Sequence, residues 1–174
     1  VLHHMEDPIT GLQVLEGLLN PGGLIELGLY SELARAEVIE ARKQIDKMNV
    51  AVSESAIREF RGVLIESDDE ILETLATFSD FFSLSEVRDL LFHVQEHRFS
   101  LLQISECLHE LGLKFCGFKN RARIPAFQKM HGEGADICDL ALWHQFEANN
   151  PHSFRGMYQF FCQKSTTNQR TSSA

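Results

Sequence analysis

Residues 1–31 read VLHHMEDPITGLQVLEGLLNPGGLIELGLYS, and the reading of this stretch decides the fold. Val1 to His4 is a short apolar run carrying two histidines, and it reads as the end of a buried strand. Asp7 is placed to cap a helix with Pro8 at its first position, where a missing N–H costs nothing. Leu12, Val14, Leu15, Leu18 and Leu19 recur at helical spacing, and Asn20-Pro21-Gly22-Gly23 stops the helix. GLIELGLYS (23–31) is a second apolar run, of the kind buried in a parallel sheet. Strand, helix, turn and strand in this length make a βαβ unit, so the expected class is α/β.

Working outward, the pattern from Ser31 to Gly112 is helical almost throughout. Ser31, Ser53, Ser67, Ser83 and Ser100 mark helix starts, and the last three precede an acid or amide by three residues, the spacing of a capping box. Gly112 is placed to end the last of these helices. LKFCGFK (113–119) then alternates as a strand does, Asp136 to Asn149 reads as a helix, and GMYQFFCQK (156–164) reads as a final strand. Residues 165–174, STTNQRTSSA, are polar and expected to be a disordered tail. No internal repeat is visible.

A chain of 174 residues with 44% hydrophobic and 24% charged residues is ordinary for one globular domain, able to bury about 70% of its unfolded surface. A net charge of -9 argues against binding nucleic acid through phosphate contacts, which need a basic face. The four cysteines (Cys107, Cys116, Cys138, Cys162) form no C-x-x-C pair, which predicts reduced thiols and a cytoplasmic setting. No stretch approaches the roughly 20 apolar residues of a membrane helix, and no signal peptide is expected.

VLHHMEDP, a helix and then LLNPGGLIELGLYS resembles the fourth and fifth strands of the class I S-adenosylmethionine-dependent methyltransferases. HRFSLLQISECLHELGLKFCGF (97–118) resembles the approach to that family's sixth strand, and GMYQFFCQK its seventh, the antiparallel hairpin partner of the sixth. GLYSELAR, RDLLFHVQEHRF and DLALWHQFE resemble more narrowly a bacterial subgroup often fused behind tetratricopeptide repeats. The resemblance covers residues 1–164. It implies a Rossmann-like sheet, strands four to seven, divided into a strand-helix-strand core (1–30), a helical insertion covering the substrate (31–112), and the last two strands with intervening helices (113–164). The family holds its cofactor mainly with a Gly-rich loop after strand one and an acidic residue ending strand two. Neither is present in the sequence: the sole G-x-G, Gly132-Glu133-Gly134, lacks a third glycine and follows no expected strand. Strands one to three are therefore expected upstream of Val1, with the chain inactive and poor at cofactor binding when alone.

As alternating residues at a strand end, His3 and His4 are expected to point to opposite faces, which disfavours shared metal ligation. By resemblance, Leu2 and His3 lie near the adenosyl portion of S-adenosylmethionine, and His4, a catalytic candidate, or Glu6, a substrate-binding one, faces the methyl acceptor. Tyr30, ending the next strand, lines the same crevice, where ligands sit in open α/β sheets. In RDLLFHVQEHRF, Asp89, His93, Glu96 and His97 would share one helical face. His93 and Glu96 are the candidate bases there, with His97 and Arg98 binding substrate. A base helps methyl transfer only when the acceptor is a protonated N–H or O–H.

Two rivals follow from the same residues. His93-x-x-Glu96-His97 matches the inverted zinc-peptidase motif, with Glu106, Glu110, Glu133 or Glu147 as a third ligand, although none sits in a companion motif. A non-catalytic interaction domain on a degenerate methyltransferase fold is the other. Phe78, Phe81, Phe82, Phe92, Phe99 and Trp143 read as core. The acceptor, small molecule or protein, is not specified by the sequence.

Overall fold

The computed structural model describes residues 1–67, 73, 75, 77, 79–92 and 96–166. The chain is mixed α/β with a four-stranded sheet. It divides into two compact units, one of Val1–Ala34 with Gln95–Ala174, the other Arg35–Val94.

In the first unit, helix α1 (Pro8–Leu18) begins as expected: Asp7 accepts from the N–H groups of Ile9 and Thr10. The turn after it needs Gly22 at φ 77°, and strand β1 (Leu24–Ser31) follows. Three further strands complete the sheet: β2 (Arg98–Phe99), β3 (Leu113–Phe118) and β4 (Tyr158–Lys164), in the order β2-β1-β4-β3. β4 is antiparallel to both β1 and β3, so those two run parallel to one another. Lys164 ties β4 back to α1 through the Glu16 carboxylate at 2.8 Å.

The first expected strand is not one. Leu2–His4 forms a single 3-10 turn, closed by the Met5 N–H on the Leu2 carbonyl. The end of β1 is paired parallel with Arg98–Phe99: Tyr30 stands beside Arg98 and Ser31 beside Phe99. Only the slot beside Tyr30 and Ser31 is taken, and the His97 N–H just before that ladder closes on the His3 carbonyl. Gly11 lets the turn settle against α1, since a Cβ there would lie 2.7 Å from the Met5 sulfur and 3.0 Å from Leu2. The sheet is accordingly mixed around β1, with only a two-residue parallel ladder.

Helix α2 (Ala36–Met48), helix α3 (Glu54–Ile65) and helix α4 (Leu84–Phe92) belong to the second unit. Ser53 caps α3 through the Ala56 N–H, and Asn49 ends α2 in the left-handed region at φ 51°. Val38, Ala41, Ile57, Phe60, Leu64, Phe81, Val87 and Leu91 form its buried core. The Ser83 hydroxyl lies 2.9 Å from that of Ser85, and the Val87 N–H donates to the Ser83 carbonyl at the start of α4; the Ser67 to Glu70 box falls outside the described residues. Phe82 is exposed, and Phe78 is outside the described residues.

The independent helical segment is shorter than residues 31–112, because β2 and helix α5 (Leu101–Glu110) belong to the sheet unit. Ser100 and Gln103 make the expected reciprocal capping box on α5, which Gly112 follows at φ 65°. Helix α6 (Ile124–His131), unforeseen in the sequence, and helix α7 (Leu140–Asn149), capped by Asp139, complete the unit. Leu27, Leu29, Leu101, Ile104, Phe115, Phe127, Trp143 and Phe160 form its core, with Phe127 stacked on Trp143 at 4.1 Å between centroids. Tail residues 167–174 lie outside the described residues.

Candidate functional site

The 3-10 turn does to the histidines what a strand would not. Consecutive side chains leave it on neighbouring sides, so the His3 and His4 rings meet at 4.3 Å instead of pointing apart. Tyr30 joins them from the carboxyl end of β1, 4.2 Å from His3 and 6.1 Å from His4 between centroids. His3 is buried, and its Nδ1–H is placed to donate to the Gly28 carbonyl at 3.3 Å. A carbonyl only accepts, so this bond calls for a proton on Nδ1.

Residues 96–99 brace the cluster. The His97 N–H donates to the His3 carbonyl at 2.8 Å, and the Glu32 N–H to that of Phe99 at 3.1 Å. Arg98 sits beside Tyr30 in the ladder, its guanidinium 3.9 Å from the Glu96 carboxylate. Asp7 is held below the usual carboxylate range by the Thr10 hydroxyl and by N–H donors, with a smaller contribution from His97.

His3, His4, Tyr30, His97 and Arg98 are therefore gathered at one strand exit, with Glu96 beside Arg98. Two expected members are not. Leu2 lines a narrow apolar void with Pro8, Leu12, Leu29 and Phe99, and Glu6 is exposed in the turn before Asp7. His93 lies outside the described residues. Asp89 lies in α4 whereas Glu96 and His97 lie outside any helix, just before β2, so the three do not share one helical face. The zinc-peptidase spacing needs Glu96 and His97 on that helix. Among the described residues no group of His, Cys, Asp and Glu could hold a metal ion.

A second polar group was missed by the sequence reading. Glu147 of α7 is fully buried, taking the Ser31 hydroxyl on one carboxylate oxygen and the Tyr158 hydroxyl on the other, each at 2.5 Å. Ser31 also accepts the Ala34 N–H, so its capping role is real but shared. Burial pushes the Glu147 carboxyl above the ordinary value, against the lowering effect of both hydroxyls. Burial, then the Glu147 charge, pushes the Tyr158 phenol up. The available signal was Glu147 standing seven residues after Leu140 and four after Trp143, on the apolar stripe of its helix.

No known family profile matches the chain. It is similar to an uncharacterized protein of Synechococcus sp., 29% identical over 136 residues, which covers 71% of this chain and 31% of that protein. The chain thus spans about a third of the relative it matches. Among the described residues no helix is long and apolar enough to cross a membrane.

Proposed function

We propose that this chain is the C-terminal, acceptor-side portion of a methyltransferase that moves a methyl group from S-adenosylmethionine to an acceptor still to be identified. The observation that carries the reading is the ring cluster of His3, His4 and Tyr30 at the exit of β1, braced by His97 and Arg98. The reversed β4 beside β3 adds support, since the resemblance implies an antiparallel hairpin at the end of the sheet.

Leu2 and His3 do not fit the cofactor role given them by resemblance. Leu2 is packed in the apolar core and the His3 Nδ1–H is engaged by Gly28. The Gly-rich loop and acidic strand end are not among these residues, so whole-enzyme activity is proposed only for a longer polypeptide.

Methyl transfer is an in-line displacement, so what the protein must supply is position and alignment of the acceptor. The half-buried His4 and Tyr30 offer flat faces for stacking and polar edges for orientation, and Arg98 adds a cation at the same strand position. His4 is the base candidate for an N–H or O–H acceptor.

Calorimetry with S-adenosylhomocysteine, on this chain and on a longer polypeptide containing it, tests the reading. Binding by the longer form with feeble binding by the chain alone is expected. In the longer form, His4→Ala and Tyr30→Phe should lower methyl incorporation from labelled S-adenosylmethionine about tenfold or more while leaving S-adenosylhomocysteine affinity unchanged. A longer polypeptide that ignores S-adenosylhomocysteine would overturn the proposal in favour of a non-catalytic interaction module.

A further inference from the structure

We infer that the sheet unit carries a second ligand site, a pocket at the end of β3 that takes a small amphipathic anion, an apolar body bearing one carboxylate or phosphate. It stands whether or not the chain transfers methyl groups.

The pocket holds about 270 Å³, and its lining is nearly balanced between polar and apolar surface. Phe118, Ile124, Ile137 and Trp143 supply the apolar wall, and Lys119 and Arg121 stand at the rim. Its shape comes from a β-bulge. The register between β3 and β4 slips between Phe115 and Gly117, and Gly117 adopts φ 115°, a conformation open only to glycine. Phe118 is thereby turned in among Phe115, Phe154 and Trp143. Trp143 is fixed in place by its Nε1–H, which donates to the Ile137 carbonyl at 2.9 Å.

Two of the lining residues, Lys119 and Arg121, are cations and none is an acid. From Leu111 to Gly132 there is no Asp or Glu, yet Lys114, Lys119, Arg121, Arg123 and Lys129 fall there, in a chain of net charge -9. Glu26 pairs with Lys119 at 2.6 Å, and Asp136 accepts the Cys138 N–H. Arg123 lies over the Phe154 ring at 4.9 Å. Arg121, exposed among the lining residues, is the cation placed to meet a ligand. An apolar wall with a guanidinium at its mouth selects molecules having both features, because neither contact alone repays desolvation and lost freedom.

Trp143 is the single tryptophan of the chain and so reports on the pocket directly. The full chain would be titrated with benzoate, phenyl phosphate, benzyl alcohol and inorganic phosphate, following Trp143 emission and the amide resonances of Gly117 and Lys119. Saturable changes with benzoate or phenyl phosphate are expected, with benzyl alcohol and inorganic phosphate at least about tenfold weaker. The better of the two anions identifies the head group. Arg121→Glu, an exposed substitution checked by unchanged circular dichroism, should weaken anion binding about tenfold or more. Equal binding of benzyl alcohol, equal binding of bare phosphate, shifts confined to other residues, or indifference to Arg121→Glu would each overturn the inference.

Discussion

Glu147 buries a carboxyl group between two hydroxyl donors, and its titration is coupled to folding. Its folded-state value is raised above the ordinary 4.5, so the native state holds its proton to higher pH than the unfolded chain. The stability from this group is therefore fully present below about pH 4.5 and fades as pH climbs through the folded-state value. Urea unfolding across that range, compared with Glu147→Gln, should show the variant missing this component; identical pH slopes would refute it. Tyr158→Phe strips one donor from a buried acceptor and should cost about 1–3 kcal/mol, read by the same denaturation. The thiols separate as cleanly. Burial pushes Cys162 up to about 12, while Cys116 is exposed. A thiol reagent on native protein should label Cys116 first and Cys162 only on unfolding.

At the scale of elements, caps and glycines hold the design together, and they are also what the sequence makes plain. Asp7-Pro8 and the Ser100 capping box were legible because a cap is a local bargain between a side chain and nearby N–H groups. Ser100→Ala should lower the thermal midpoint by an amount equivalent to about 1 kcal/mol. Gly117→Ala forces a Cβ into a left-handed conformation and should cost about 1–3 kcal/mol, with displacement of Phe118 visible in the near-ultraviolet signal. What stayed hidden was decided elsewhere in the chain. A two-residue strand such as β2 has no periodicity to read, and its pairing with Tyr30 and Ser31 is a tertiary fact. Leu2–His4 forms a 3-10 turn where a strand was expected, which brings together histidines that alternation would have parted. Helix α6 lay concealed in a basic run around Pro125.

For the molecule as a whole, the expected α/β class holds, and so do β1, β3 and β4; the finer assignment to a methyltransferase sheet remains a proposal. The helical unit leaves the sheet unit after Ala34 and rejoins it at Gln95, between strands whose ends are paired side by side. Replacing residues 35–94 with a short Gly/Ser linker should therefore leave Trp143 emission native-like, since excursions with adjoining ends are removable. Emission typical of solvent-exposed tryptophan would show the two units to be interdependent.

The antiparallel ladder between β1 and β4 sets an order on biogenesis. Leu24 finds its partner in Gln163 and Leu29 in Tyr158, so during translation β1 emerges early and must wait with its edges open. Loop closure over that span is slow, and the helices encoded in between can condense first. Of the four strands, the one that joins β1 to β3 is thus made after both.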